Sequence, residues 1–201
     1  MICPIWGTPA AIRPNDGRDG QLVGSPRAAG DYFISGTAVP ILENCDERTK
    51  ARLTSYLIEQ RRLGNECPEI TSRTVKEAKQ RRDMPLSQRA DGILRFLELC
   101  SAHLGAAIRF RSYIYYYDGY NPDDFDKKYF GLLSHSECVD PDELVFLLNY
   151  LDERGLIDYS EEHGEIKTCT LTVDGYARLN EQTDKMSIPL GLLLRCGSMR
   201  A

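Results

Sequence analysis

The chain has 201 residues, with 25 Lys and Arg against 30 Asp and Glu and a net charge of −5. Its hydrophobic content of 42% and charged content of 27% match a globular protein of one domain or two small ones. The acidic balance (pI about 5.3) disfavours a nucleic-acid binder, which carries a basic face. No apolar run reaches the roughly 18 residues of a membrane span, and the N-terminus lacks the layout of a signal peptide, so a cytoplasmic protein without membrane contact is expected.

The seven cysteines, Cys3, Cys45, Cys67, Cys100, Cys138, Cys169 and Cys196, form no C-x-x-C pair. Scattered thiols of this kind are expected to be reduced and mostly buried. His103, His135 and His163 stand at no metal-ligand spacing from them. No metal or cofactor is expected.

Residues 1–44 are rich in Gly, Pro, Asp and Arg and lack a helical period. They predict short strands joined by turns. Cys3-Pro4-Ile5-Trp6-Gly7 resembles a C-P-x-C-G zinc knuckle with Trp6 in place of the second thiolate. A tetrahedral zinc site needs that ligand, so the expectation is a β-rich cap with Trp6 as its apolar anchor. Residues 45–85 predict a helical segment. Asp46 to Leu63 is one amphipathic helix with Leu53, Leu57, Ile58 and Tyr56 as its stripe, stopped by Gly64-Asn65. Thr71 or Ser72 caps a second helix through Val75 and Ala78 to Arg82. Lys76, Lys79, Arg81 and Arg82 make a basic end, interleaved with Glu77 and Asp83. Such cations are favoured near a helix C-terminus and are read as a solvated face before a phosphate site.

Residues 86–185 supply the remaining elements. Ile93, Leu97, Cys100 and Leu104, widened by Leu94 and Phe96, recur at helical spacing. Ile108 to Tyr117 alternates and predicts a strand. Aromatics in Tyr113-Ile114-Tyr115-Tyr116-Tyr117 beside Arg109 and Arg111 can stack bases, but a strand with one buried face is the expectation. Asp118-Gly119 and Asn121-Pro122 are turn signals, and Phe125 to Ser134 predicts a short helix. Asp140-Pro141 starts the next helix, with Leu144, Val145, Leu147, Leu148 and Leu151 as its stripe and Gly155 as its end. Leu156–Tyr159 and Ile166–Leu171 read as a hairpin across the turn Glu161-Glu162-His163-Gly164. Thr172 caps a last helix with Val173, Tyr176, Ala177 and Leu179 as apolar contacts.

The expected fold class is α+β, mainly α. Glu143-Leu144, Leu147-Leu148, Tyr150-Leu151, Arg154-Gly155-Leu156-Ile157, then Leu171-Thr172 with Gly175 and Leu179, resemble the second half of a winged-helix domain. The resemblance implies a winged helix over 86–185, with Leu97, Leu133, Leu148, Leu151, Ile157 and Leu171 buried together. In DNA-binding winged helices the helix before the hairpin enters the major groove. Here that helix offers Asp142, Asn149, Asp152, Glu153 and Arg154, and the hairpin tip offers Glu161, Glu162 and Glu165. Carboxylates repel phosphates. A protein partner or self-association is therefore expected, with duplex DNA as the alternative. That alternative would use Arg154, Lys167 and the basic residues Lys76, Lys79, Arg81 and Arg82. No phosphate loop, G-x-S-x-G or H-E-x-x-H pattern points to catalysis.

Ser25-Pro26-Arg27-Ala28-Ala29-Gly30, Glu47-Arg48-Thr49-Lys50-Ala51-Arg52-Leu53 and Asp91-Gly92-Ile93-Leu94-Arg95 resemble the N-terminal half of a bacterial family. Its members end in a TIR-like or nucleoside deoxyribosyltransferase-like effector domain. The resemblance covers about residues 1–183 and implies a non-catalytic regulatory or interaction module from an antiphage-type defence protein. Two departures stand out, Trp6 in the knuckle and the final Ser187-Ile188-Pro189-Leu190-Gly191-Leu192-Leu193-Leu194-Arg195-Cys196-Gly197-Ser198-Met199-Arg200-Ala201. The family's effector domain opens with a strand like A-F-V-A-M-W-F-D. Gly191 to Ser198, followed by Met199, can be encoded GGN CTT TTG TTG CGA TGT GGT TCG ATG. Read two nucleotides later, that string gives F-V-A-M-W-F-D. Two expectations stand for the 186–201 tail: a docked hydrophobic tail, or the truncated, frame-shifted end of a longer gene.

Overall fold

The computed structural model describes residues 1–14, 17–110, 127–162 and 165–186. The chain is α+β, mainly α. Its described residues gather into two hydrophobic cores, one drawn from residues 3–78 and one from residues 90–179.

In the first core, β1 (Ala11–Pro14), β2 (Gly20–Ser25) and β3 (Gly30–Ser35) form an antiparallel meander. A short strand, β4 (Glu69–Ile70), adds to it parallel to β3, giving the order β1-β2-β3-β4. One tight turn, Pro26–Ala28, links β2 to β3 and ends with Ala29 in the left-handed region at φ 59°. After the five-residue helix α1 (Val39–Glu43) comes α2 (Glu47–Arg62). Asp46 caps α2 by accepting the Thr49 N–H at 2.6 Å. Thr71 caps α3 (Ser72–Gln80) in a reciprocal capping box with Thr74. The β-rich segment and the two helices share this core: Ile5, Val23, Tyr32 and Ile34 pack with Leu53, Leu57 and Val75.

The second core is built by α4 (Leu86–Cys100), β5 (Ile108–Arg109), α5 (Lys127–His135), α6 (Pro141–Asp152), β6 (Ile157–Glu162), β7 (Glu165–Leu171) and α7 (Val173–Met186). The sheet order is β5-β7-β6, antiparallel throughout. Leu97, Leu133, Leu148, Leu151, Ile157 and Leu171 are buried together, as expected. Pro141 follows the Asp140 cap, which accepts the Glu143 N–H at 2.9 Å. Gly155, at φ 65°, ends α6: its N–H bonds the Asp152 carbonyl at 2.7 Å and the Leu156 N–H bonds Leu151 at 3.0 Å. That pair is a Schellman ending, which favours glycine at this position. Gly92 and Gly175 allow close crossings: a Cβ there would collide with the carbonyl oxygens of His135 and Leu156.

Several expectations are corrected. Helix α1 and strand β4 fall where only turns and loop are expected. Helix α2 buries Thr49, Ala51, Thr54 and Ser55 beside Leu53 and Leu57, while Tyr56 and Ile58 are half-buried. It packs on α5 as well as on its own core, so its buried face is wider than its apolar stripe. Leu104 lies beyond the end of α4 and is exposed. Glu161 and Glu162 belong to β6, past a bulge after Ser160, rather than to the turn. In α7, Val173 and Ala177 face outward, and Gly175 and Leu179 are the buried positions. The 113–117 aromatic run, Phe125, the 163–164 tip and the 187–201 tail lie outside the described residues.

Candidate functional site

Three places among the described residues are candidate sites. The first is the junction between the cores. Glu143, in the first turn of α6, binds both guanidinium groups of the junction: Arg48 of α2 with two hydrogen bonds, and Arg89 of α4 at 2.7 Å. The Val139 N–H adds a bond at 3.0 Å. Burial pushes the Glu143 carboxyl up, but the hydrogen bonds from Arg48 and Val139 and the charge of Arg89 outweigh it and hold it below the usual carboxylate range. Glu137, in the left-handed region at φ 52°, is buried. Its carboxylate accepts the Ser55 hydroxyl at 2.6 Å and the Met84 N–H at 2.9 Å. Arg89 also donates to the Ser136 carbonyl at 2.8 Å.

Arg27 extends this junction to the cap. It is 3% exposed, lies over the Trp6 ring at 3.7 Å and donates to the Cys138 carbonyl. Its own carbonyl accepts the Ser134 hydroxyl at 2.7 Å. The Trp6 ring is fixed in turn by its N–H bond to Thr54 at 2.9 Å. Trp6 is thus an anchor between cap and helix. Cys3 beside it is buried, 3.3 Å from the Tyr32 hydroxyl. Among the described residues no group of three or more His, Cys, Asp and Glu is placed to hold a metal, and the six described cysteines are free thiols.

The second place is a cleft of about 720 Å³ between the cap and α4–α5. One wall is Pro9–Ala11 with the 24–31 turn; the other carries Phe96, Lys127, Gly131 and His135. The third is the outward face of α6 and the hairpin. Phe146 is 62% exposed there, with Asp142 and Asn149 exposed on the same helix, Glu153 exposed just after it, and Asp158 and Glu161 exposed on β6.

The basic residues considered for phosphate contact fall on two separate stretches, 76–82 and 154–167. Lys76 and Lys79 are exposed on α3, Arg81 lies 3.7 Å from Glu59, and Arg82 is exposed beyond it. These four belong to the first unit. Arg154 follows α6 and folds back over Tyr150, 3.7 Å from the ring and 3.4 Å from its carbonyl. Lys167 is half-buried on β7. Sequence reasoning missed Phe146, whose only signal is that it falls out of phase with the α6 stripe. It also missed the cleft residues, for which Gly131 inside an apolar helix is the one trace.

No described helix is long and apolar enough to cross a membrane. The chain matches no protein-family model, no curated protein and no solved structure.

Proposed function

We propose that residues 86–185 are a winged-helix domain used for protein contact, and that the chain is a cytoplasmic, non-catalytic regulatory module. The order helix, strand, helix, helix, hairpin, helix and the sheet order β5-β7-β6 support the fold name. The resemblance of the 25–30, 47–53 and 91–95 segments to the N-terminal half of antiphage-type effectors supports the regulatory role. The observation that carries the choice of partner is Phe146, exposed at the centre of an acidic face. A duplex would meet that face with its phosphates, and the carboxylates would repel them without cations to release counterions. A basic, apolar protein surface fits it instead. Lys76, Lys79 and Arg82 are exposed on the same chain, so a second copy is the first occupant to test.

Sedimentation of the full chain at low and high salt, beside Phe146→Glu, tests this. A salt-sensitive oligomer that the substitution abolishes is the expected result. Titration with duplex DNA at the same salts tests the alternative use of Arg154, Lys167 and the 76–82 cations. Tight binding that weakens steeply with salt would replace protein contact by DNA regulation.

A further inference from the structure

The cleft between the cap and α5 is shaped by opposite kinds of wall. On the cap side Ala10, Ala11, Gly24, Ala29 and Gly30 have a methyl group or no side chain, so much of that wall is backbone. Arg61 braces this wall from behind, donating to the carbonyls of Ala28 at 3.3 Å and Asp31 at 2.6 Å. On the helix side Lys127, Gly131 and His135 recur every four residues along one face of α5. That stripe runs about 12 Å at ~1.5 Å per residue. Gly131 has no Cβ where one would collide with the Phe96 ring. The tip of the Phe96 ring therefore packs against α5 at Gly131, with its centroid 4.9 Å from that of His135 and the two rings tilted by 37°.

The chemistry changes along the cleft. At one end Lys127 is exposed at the start of α5, where its charge adds to the positive end of the helix dipole. At the other end are two aromatic rings. Burial, with the charges of Arg61 and Arg62, pushes the His135 imidazole down to about 4. It is thus neutral at pH 7, with one donor and one acceptor nitrogen. Asp31 brings a carboxylate to the cap wall, an acceptor for hydroxyl groups. Its 3.8 Å pairing with Arg13 offsets its repulsion of an anion.

We propose that this cleft binds a nucleoside monophosphate, with the base against Phe96 and His135, the sugar hydroxyls facing Asp31 and the phosphate at Lys127. A volume of about 720 Å³ lies within the range of small-ligand sites. The stripe from Lys127 to His135 matches the end-to-end length of such a molecule. The site is independent of the protein-contact face, since the cleft and the outward face of α6 share no residue.

Isothermal titration of the full chain with AMP, GMP, CMP and UMP tests it, with the matching nucleosides and inorganic phosphate as partial probes. Saturable binding of at least one nucleotide is expected, at least tenfold tighter than its nucleoside or phosphate alone. Lys127→Glu should weaken the nucleotide at least tenfold and leave the nucleoside unchanged. Ala11→Trp, at an exposed cleft position, should abolish both while Tm and circular dichroism stay at the wild-type values. No saturable binding of any nucleotide at millimolar concentration overturns the proposal. So does binding that both substitutions leave intact, or phosphate binding as tight as the nucleotide.

Discussion

Ala29 is one of two described non-glycine residues held at positive φ, at 59°. It completes the turn that carries Arg27 into the junction, so the strain sits beside a residue that contacts Trp6, Ser134 and Cys138. An L-residue in this region costs about 1–2 kcal/mol, and the extra freedom of glycine in the unfolded chain offsets part of the gain. Ala29→Gly should therefore raise stability by about 0.5–1 kcal/mol in urea denaturation; a fall would show that the methyl group packs usefully. His135 makes a second prediction. Its ordinary value of 6.5 drops to about 4 in the fold, so the unfolded chain binds the proton more readily. Stability is full above pH 6.5 and falls as pH drops towards 4, by on the order of 1–3 kcal/mol at this half-buried site. The Tm of His135→Gln measured from pH 7 to 4 should decline less than that of the wild type. Equal slopes would place the acid sensitivity elsewhere.

At the scale of elements, local signals and packing divide the work. Asp46, Thr71, Asp140 and Thr172 all cap the helices their positions suggest, because a cap depends only on neighbours three residues away. The stripe of α6 is legible for the same reason: Leu144, Leu147, Leu148 and Leu151 are all essentially inaccessible. Leu148→Ala removes a side chain packed at the centre of the second core and should cost about 2–5 kcal/mol, read by chemical denaturation. A cost under 1 kcal/mol would mean that the core collapses around the loss. The miss on Val173 has an equally local cause. It is apolar but one position off the Gly175–Leu179 face that α7 buries against Leu156 and Leu171.

For the whole molecule, the two cores are joined by a small polar set rather than by apolar area alone. Glu143 holds Arg48 from one unit and Arg89 from the other, and its side chain is 26% exposed. Removing it leaves two guanidinium groups without this partner at a semi-buried junction. Glu143→Ala should cost about 1–3 kcal/mol, less than a fully buried pair because solvent screens it. The substitution should also loosen the coupling between units. Calorimetry is expected to show one transition for the wild type and two for the variant; one sharp transition with unchanged Tm in the variant would show that apolar contact alone joins the cores.

The sequence by itself determined helices α2 to α7, the caps of α2, α3, α6 and α7, the hairpin and the six-residue core prediction, since each follows from a period or a short-range bond. It also carried the acidity of the α6 face, which is composition. Only the tertiary structure decided that the 1–44 and 45–85 segments share a core, that Phe146 is uncovered, and that Phe96, Gly131 and His135 face the 24–31 turn across a cleft. Periodicity reports which side of a helix is apolar, but not what lies against it. Arg48 and Glu143 are 95 residues apart, and in sequence both read as ordinary charges on amphipathic helices. Their pairing exists because β2, the 26–28 turn and α5 bring α2 beside the start of α6, a consequence of packing that no local pattern encodes.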